Sequence, residues 1–478
     1  MMGVNLASVI EARAVDGGWA GDVAFLAGDR VLTHAAVHEA AARTGSLLAG
    51  MGVGSGDRVL VVLPDGPEFA WAFLGAVRIG AIAVPVNPRL TAPDHAAASA
   101  DARAVVCGAD LASRFAAQVV VGEELEAAIA GHPPAPPAPV DAGHPAYAQY
   151  TSGTTGTPKA ALHAHGDPLV YVEAFARPAI AIRRTDVLLS VSKLYFAYGL
   201  GNSLFFPLLT GCRAVLHAAH PVPTEIAEVV RRHRVTVIFG VPTFYAHLVA
   251  GADPSALGSV RVAVSAGEAL GTELATRARA FLGVPILDGL GSTEVGQTFA
   301  SNTLDRWKDA TVGMALPPYR VSVRDDQGRS LPPGEVGALW VAGPTLPLGY
   351  ADEWLVTGDR ALLDAEGFLH LRGRADDVEL VGGISVSPLE IEAVLSRHPA
   401  VTEVAVAGVV GADGASRLEA FVVAAPGAAV EAELLALARA ELAPFMVPRT
   451  IAFVDVLPRT PTGKLRRYVL RSGVHFRS

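Results

Sequence analysis

The chain has 478 residues, which is too long for one compact core, so we expect at least two domains. The net charge of −9 and the lack of any basic run disfavour a nucleic-acid-binding protein, and the longest apolar stretches are too short to span a membrane. Two cysteines, Cys107 and Cys212, are too few for a disulfide framework or a cysteine zinc site. We therefore predict a cytoplasmic protein that binds neither nucleic acid nor membrane.

The first predicted elements form a βαβ unit. Arg58–Leu63 is an apolar run typical of a buried strand, and a turn then leads to Pro67, which opens a helix that continues to Ile79. Gly80 ends this helix, and Ala81–Val86 is the next strand. Two strands joined by a helix in this way are typical of a parallel sheet.

The middle of the chain continues this alternation after a Pro-rich stretch, Gly131–Pro145, which we predict to be a surface connection. The next predicted elements are strands at Val235–Phe239, Val262–Ser265 and Pro285–Asp288, and a helix at Thr272–Phe281. Short apolar strands alternating with helices indicate a large, mostly parallel sheet with helices on its faces.

After Arg374 the pattern changes to that of a small α+β unit. Its predicted elements are a helix at Pro388–Ser396, strands at Glu403–Val410 and Leu418–Ala424, a helix at Glu431–Leu442 and a strand at Ile451–Val454. The predicted fold class is therefore α/β. A large N-terminal domain (residues 1–374) of mostly parallel sheets flanked by helices precedes a small α+β C-terminal domain (residues 375–478).

A Gly/Thr-rich segment, YTSGTTGTPK at residues 150–159, carries the strongest chemical signal. Its two glycines allow a tight turn and close approach to an anion, while the hydroxyl and backbone N–H groups are donors suited to phosphates. It is not a Walker A loop, because two residues separate its second glycine from the lysine. The predicted phosphate-binding residues are Thr151, Ser152, Gly153, Thr154, Thr155, Gly156 and Lys159.

This decapeptide closely resembles the phosphate-binding signature of the adenylate-forming superfamily, which includes acyl-CoA and aryl-CoA synthetases, peptide-synthetase adenylation domains and luciferases. Further segments resemble that superfamily in the expected order, so the resemblance spans essentially the whole chain. They are SAGEA at 265–269, DGLGSTE at 288–294, TGD at 357–359, RGRADD at 372–377 and PTGK at 461–464.

The resemblance implies an ATP site with Mg²⁺. Asp359 would accept both ribose hydroxyls, Thr293 would bond the α-phosphate, Glu294 would ligate Mg²⁺ and Lys464 would be the catalytic lysine. Taken singly, the two carboxylates could be a turn cap and a helix-start residue, and Lys464 a solvated surface lysine. The remaining implied ATP- or AMP-binding residues are Gly267, Glu268, Ala269, Asp288, Gly289, Ser292 and Arg374.

The composition supports a special role for two lysines. Lysine occurs only four times, and arginine supplies most of the positive charge, so a lysine is expected where its chemistry is required. Lys159 and Lys464 lie in the motifs above. Lys193 and Lys308 match none of them, and we expect both at the surface.

The segment SKLYFAYGLGN at residues 192–202 resembles the benzoate–CoA ligase branch of the superfamily. The position of Ala197 is an acid in amino-acid-activating relatives and an amide in those that bind salicylate-type acids. Ala197 pairs with neither an ammonium nor a hydroxyl group, and burying either unpaired would cost about 1–3 kcal/mol. The implied acid is therefore benzoate or a simple substituted benzoate.

The implied acid pocket is an apolar, flat slot, although aromatic residues in such a segment could also be ordinary core packing. Its predicted residues are Phe196, Ala197, Tyr198, Gly199, Ser265, Ala266, Leu290, Gly291, Gly296, Gln297 and Thr298.

The resemblance also implies a second step, in which the small domain swings about Asp376. The loop at Gly382 and Gly383 would then meet a pantetheine thiol, that of CoA. An acyl carrier protein is the alternative acceptor, and Leu380, where benzoate ligases usually carry a lysine, slightly favours it. A catalytically inactive nucleotide-binding regulatory protein is a third interpretation, which the presence of both motif lysines disfavours.

Overall fold

The computed structural model describes residues 5–141, 143–151, 159–268, 270–350, 352–374, 377, 379–381, 384–410, 416–424, 431–459 and 465–472. The strands are β1 (Val23–Ala27), β2 (Arg30–Thr33), β3 (Arg58–Val62), β4 (Ile82–Pro85), β5 (Ala102–Cys107), β6 (Gln118–Val121), β7 (Pro145–Thr151), β8 (Lys159–Ala164), β9 (Val187–Ser190), β10 (Arg213–Val215), β11 (Val237–Gly240), β12 (Val262–Ser265), β13 (Ile286–Gly291), β14 (Thr298–Ser301), β15 (Met314–Ala315), β16 (Arg320–Arg324), β17 (Gly337–Ala342), β18 (Leu355–Leu363), β19 (Leu369–Arg374), β20 (Glu379–Val381), β21 (Ile384–Val386), β22 (Val401–Val410), β23 (Ser416–Ala424) and β24 (Thr450–Phe453).

The α-helices are α1 (Leu6–Asp16), α2 (His34–Gly50), α3 (Pro67–Arg78), α4 (Ala92–Ala98), α5 (Leu125–Ile129), α6 (Asp167–Tyr171), α7 (Ala197–Leu200), α8 (Phe206–Thr210), α9 (Pro223–His233), α10 (Pro242–Gly251), α11 (Thr272–Leu282), α12 (Pro388–Leu395), α13 (Glu431–Glu441) and α14 (Arg467–Arg471). Two π-helical segments, Val172–Ala176 and Gly201–Phe205, extend α6 and α7.

Two large sheets form the framework of the N-terminal domain. One has the order β6-β5-β3-β4-β7-β8 and is parallel except for the β7–β8 hairpin. The other has the order β15-β14-β13-β12-β11-β9-β10-β1-β2, parallel from β13 to β1 and antiparallel at both ends. The α/β class and the mostly parallel large domain are thus confirmed.

The continuous apolar runs of the central strands follow from burial on both faces. In β3, Val59 and Val61 point into the core between the two large sheets, whereas Leu60 and Val62 face the core on the other side of their sheet. Side chains alternate along a strand, so a strand covered on both faces must be apolar at every position.

Helices α2 and α3 pack in the core between the sheets. Pro67 occupies the first turn of α3, as predicted, and nearly every residue of this helix is buried. The two helices come very close at Gly75, where an added Cβ atom would lie 2.8 Å from the Ala41 carbonyl oxygen. A glycine at this position is therefore required for the helix crossing.

The small domain has its own core. Its three-stranded sheet, β22-β23-β24, packs with α12 and α13 around Ile391, Leu395, Val406 and Leu434. All five elements predicted for this part of the chain are present, with ends shifted by at most a few residues. The separate small α+β domain is confirmed, while its boundary at residue 375 stays a prediction.

Three features differ from the sequence expectations or were missed by them. The antiparallel sheet β16-β17-β18-β19 was not predicted, because three of its strands, β16, β18 and β19, are partly exposed and mix polar with apolar residues. The 131–145 connection is partly buried, since Ala135 and Val140 are less than 10% exposed and the Ala135 N–H donates to the Ala42 carbonyl. The expectation that Lys193 is a surface residue is wrong, because its side chain is buried.

Among the residues described, the longest and most apolar helices do not reach the length and hydropathy needed to cross a membrane.

Candidate active site

The carboxyl ends of neighbouring parallel strands bring several predicted site residues into one row. In the β11–β12 pair Gly240 lies opposite Ser265, and in the β12–β13 pair Ser265 lies opposite Asp288. Open α/β sheets bind ligands at this edge. The predicted segments at 265–268 and 288–294 therefore meet at one place, although no sequence feature links them.

Two buried polar side chains at this edge have unused hydrogen-bonding capacity. Asp288 Oδ2 accepts from the Leu270 N–H (3.2 Å), whereas Oδ1 has no partner among the described residues. Burial raises the pKa of Asp288 well above its usual value. Ser265 Oγ is likewise buried without a partner in the described part of the chain. Since buried polar groups are almost always bonded, these atoms are suited to contact a ligand.

The turn between β13 and β14 carries Thr293 and Glu294, which were predicted to bind the α-phosphate and Mg²⁺. The Ser292 hydroxyl accepts from the Val295 N–H (3.1 Å). From outside the turn, His163 Nε2 lies 3.0 Å from the Thr293 carbonyl oxygen, and Thr345 Oγ1 donates to the Val295 carbonyl (2.8 Å). The backbone of the turn is thus fixed, while the Thr293 side chain is left partly exposed.

Glu294 in the same turn is also partly exposed. In the described part of the structure its carboxylate has neither a hydrogen bond nor an ion pair. A fixed backbone carrying an unengaged carboxylate is a suitable arrangement for binding a ligand or a cation.

Glycines allow this turn to pack closely. Gly296 has φ +87°, and a Cβ atom there would lie 1.9 Å from the hydroxyl oxygen of buried Tyr171. At Gly291 a Cβ atom would lie 2.9 Å from the Gln297 carbonyl oxygen. Gln297 and Thr298 are both buried, and the Gln297 side-chain oxygen accepts from the Thr298 N–H (2.9 Å).

Asp359 and Arg374 lie opposite each other on β18 and β19. Arg374 Nη1 donates to Asp359 Oδ1 (3.2 Å) and to the Thr357 carbonyl (3.1 Å). Gly358, which lies between Thr357 and Asp359 in the TGD motif, has φ +78°, a conformation that favours glycine. The structure thus brings together the predicted ribose-binding residue and a second predicted ATP- or AMP-binding residue, which are 15 positions apart in the sequence.

The segment at residues 192–202, called the aryl segment below, carries the first predicted pocket residue, Phe196, directly before α7. The side chains of Phe196, Ala197 and Tyr198 are partly exposed, while Gly199 is buried. The Tyr198 ring packs edge-on against Phe239 at 6.1 Å, and its hydroxyl donates to the Val264 carbonyl (3.4 Å). This segment therefore lies beside the carboxyl ends of β11 and β12.

Lys193, near the start of the aryl segment, connects it to residues 217–219. Its ammonium group donates to the Ala219 carbonyl (2.7 Å) and to the His217 carbonyl. Burial lowers the pKa of Lys193, and the neighbouring Asp65 carboxylate opposes that effect. A Cβ atom at Gly199 would lie 2.1 Å from the Lys193 carbonyl oxygen, so the turn fits only glycine there. Lys193 lies in a segment that resembles benzoate–CoA ligases, but its burial could be found only from the structure.

Several predicted residues lie outside the described part of the chain. They are Ser152, Gly153, Thr154, Thr155, Gly156, Ala269, Asp376, Gly382, Gly383 and Lys464. The structure does show that Thr151 and Lys159 pair across the β7–β8 hairpin at the two ends of the phosphate-loop motif. Leu380 lies in β20, paired with Ser385.

Glu268 of the SAGEA segment contacts a residue that the motifs did not single out. Arg459 of the small domain donates from Nη1 to Glu268 Oε1 (2.7 Å). Burial raises the pKa of Glu268, and the guanidinium partly counteracts this. With 191 positions between the two residues, the sequence offered no signal for the contact.

Comparison with known proteins identifies the family. Residues 12–351 match the AMP-binding enzyme family, and residues 390–464 match the AMP-binding enzyme C-terminal domain. The chain is 44% identical over 484 aligned residues to the p-hydroxybenzoic acid–AMP ligase FadD22 of Mycobacterium tuberculosis, covering 98% of this chain and 68% of that protein. It is 39% identical to the benzoate–CoA ligase of Thauera aromatica, covering 90% and 88% of the two chains.

A solved structure extends the likeness to the fold. The benzoate CoA ligase from Burkholderia xenovorans LB400 superimposes with a TM-score of 0.91 at 34% identity, covering 98% of this chain and 100% of that one. The resemblance to adenylate-forming enzymes is therefore confirmed over both domains. The chain belongs to the AMP-binding enzyme family of ATP-using, AMP-forming ligases.

Proposed function

We propose that this enzyme is an ATP-dependent aryl-acid thioester ligase. It converts benzoate, or a simple substituted benzoate such as p-hydroxybenzoate, into an aryl-adenylate with release of pyrophosphate, and then transfers the acyl group to the thiol of CoA. Relatives named as benzoate–CoA and p-hydroxybenzoic acid–AMP ligases support the choice of an aromatic acid.

The observation that carries this proposal is the aryl segment beside the ends of β11 and β12. Two aromatic rings flank Ala197 there, and none of these three side chains carries a charge. A benzoate ring would be bound by the apolar faces, whereas an α-ammonium group would be buried without a counter-charge. Aliphatic long chains would not use the flat aromatic surfaces.

In the first step the substrate carboxylate attacks the α-phosphorus of ATP and pyrophosphate leaves. We assign Asp359 to the ribose hydroxyls, Arg374 to fixing that carboxylate, Thr293 to the α-phosphate, and the 151–159 loop to the leaving phosphates. These contacts hold the two anions in line, and such positioning contributes much of the rate enhancement in phosphoryl-type reactions.

Mg²⁺ fits the donor set at the β13–β14 turn. In the described residues no three carboxylate, histidine or cysteine side chains are grouped to enclose a metal. Mg²⁺ usually takes one or two protein carboxylates and completes its shell with phosphate oxygens and water, so the single carboxylate of Glu294 suffices. Bound there, the ion would neutralise phosphate charge. Glu294 would hold it, and Thr293 would remain free to bond the α-phosphate.

Lys464 is proposed as the catalytic residue that stabilises charge between the attacking carboxylate and the α-phosphate. In the second step the small domain turns about Asp376, which withdraws Lys464 and brings Gly382 and Gly383 to the thiol. The thiol attacks the mixed anhydride, a carbon–sulfur bond forms, and AMP leaves. No nucleophile from the protein is needed.

Because the chain has only four lysines, replacing Lys464 and a second lysine in turn tests this proposal. Lys464→Ala should lower benzoate-dependent ATP–pyrophosphate exchange at least about a hundredfold while leaving ATP binding largely intact, because charge stabilisation acts in the transition state. Lys308→Ala is the matched control, since Lys308 pairs with Asp364 (2.7 Å) on the surface and should exchange like wild type. Exchange by Lys464→Ala within about threefold of wild type would refute the assignment.

An acyl carrier protein is the second candidate acceptor. The name of the relative from Thauera specifies CoA, whereas the name of the Mycobacterium relative specifies only AMP. Leu380 stands near the proposed thiol-binding loop, where benzoate ligases usually carry a lysine, and this difference favours a carrier protein as the acceptor. The test is to supply the same concentration of aryl-adenylate with either CoA or a phosphopantetheine-loaded carrier protein. The acceptor that gives the faster thioester formation is the physiological one.

A further inference from the structure

A chain of four polar side chains, three of them from arginine and glutamate residues and one from a histidine, connects the two domains at the edge of the site. Glu268 and His247 belong to the large domain, and Arg459 and Glu403 belong to the small one. Arg459 bridges Glu268 and Glu403, each at 2.7 Å, and Glu403 contacts His247 Nε2 at 3.1 Å. Both ends of this network therefore lie on the large domain, and its centre lies on the small domain.

The centre of the network is removed from water. The side chains of Arg459 and Glu403 are 21% and 7% exposed. Removing one partner from a buried ion pair is strongly destabilising, because it leaves an uncompensated charge. Here the loss of Arg459 would leave two carboxylates facing each other across the domain boundary. The network is therefore more than a pair of screened surface charges.

Arg459 also lies next to the proposed catalytic segment. It forms an antiparallel bridge with Leu465, the residue that directly follows Lys464 in the sequence. Glu268 thus binds the residue that precedes the 460–464 segment, and that residue is paired through its backbone with the one that follows the segment.

We propose that Arg459 and Glu268 are positioning residues for adenylate formation. By fastening Arg459, at the start of the segment that carries Lys464, to the SAGEA segment, they hold the small domain in the arrangement that serves the first step. Glu403 and His247 reinforce the same arrangement from the opposite side. This inference rests on the proposed function. It assigns the network to adenylate formation alone, because the small domain must leave this arrangement before the thiol can attack.

The test separates the two half-reactions. Arg459→Met keeps the length of the side chain but removes its charge. It should lower the kcat of acid-dependent ATP–pyrophosphate exchange about tenfold or more, with KM for ATP changed less than about threefold. Transfer to the thiol from supplied aryl-adenylate should stay within about threefold of wild type. Arg459→Lys, which keeps the charge, should recover part of the exchange activity.

Two further variants control for a merely structural effect. Arg397→Met breaks an exposed ion pair with Glu441 (3.3 Å) inside the small domain and should leave both half-reactions unchanged. The double variant Glu268→Gln with Arg459→Met should be no slower in exchange than Arg459→Met alone, because both changes disrupt one network.

The inference is wrong if Arg459→Met slows both half-reactions in parallel or leaves exchange intact. It is also wrong if Glu268→Gln slows exchange further when it is added to Arg459→Met. If folded wild-type enzyme showed no ATP–pyrophosphate exchange with any aryl acid, the proposed function itself would be overturned. The two failures are therefore distinguishable.

Discussion

The turn that carries Thr293 and Glu294 depends on a glycine, and Gly296→Ala tests that dependence. Two penalties act at this position. The φ of +87° costs an L-residue about 1–2 kcal/mol. The new methyl group would also lie 1.9 Å from the hydroxyl oxygen of Tyr171, which is fully buried and hydrogen-bonded to Tyr147 (3.0 Å). Forcing a methyl group into a packed core typically costs about 1–3 kcal/mol.

Together these penalties predict a loss of about 2–5 kcal/mol in the free energy of unfolding. Gly283→Ala is the matched control. Gly283 follows α11 with φ +69° and has open space where its Cβ atom would be. The Gly283→Ala variant should therefore lose only about 1–2 kcal/mol in the free energy of unfolding, from the backbone conformation alone.

The assay is urea unfolding of both variants, followed by tryptophan fluorescence, alongside ATP–pyrophosphate exchange. Gly296→Ala should unfold at lower urea than Gly283→Ala and should lose exchange activity as the turn shifts. Gly283→Ala, remote from the turn, should keep its activity. Equal midpoints for the two variants would refute the steric argument, and normal exchange by Gly296→Ala would show that the turn tolerates displacement.

Further predictions concern specificity, pH and metal. Ala197→Asn should lower the exchange activity with benzoate and raise that with salicylate relative to benzoate, since the amide crowds the ring edge and offers the hydroxyl a partner. If wild type were more active with phenylalanine than with benzoate, the aryl-acid proposal would be contradicted. Burial lowers the pKa of His34, His38 and His165 to about 4, so the unfolded chain gains protons first as pH falls below 6.5. Stability should therefore decline from pH 6.5 towards 4, by about 2 kcal/mol per histidine at pH 5, and the urea midpoint of His38→Gln should decline less. Glu294→Gln should raise the Mg²⁺ concentration needed for half-maximal exchange, and an unchanged requirement would rule out Glu294 as the ligand.

The central strands and helices were predictable because their signals are local. Val262–Ser265 was predicted with its observed ends, and the α3 helix began at Pro67 as expected. The strand predicted at Pro285–Asp288 instead continues to Gly291 and turns into a hairpin with β14. Two glycines at 289 and 291 hid this extension, since glycine usually ends a strand pattern.

By itself the sequence determined the chemistry and the order of the elements. Motifs such as YTSGTTGTPK and PTGK and the apolar runs of buried strands are short-range patterns, and each can be recognised without knowing its neighbours in space.

Only the tertiary structure decided which of these segments meet. It placed Ser265 beside Asp288, paired Arg459 with Glu268 across the domain boundary, and buried the Lys193 side chain. Strand register and domain contacts follow from packing and hydrogen bonding between residues far apart in the chain, and no local pattern encodes such pairings.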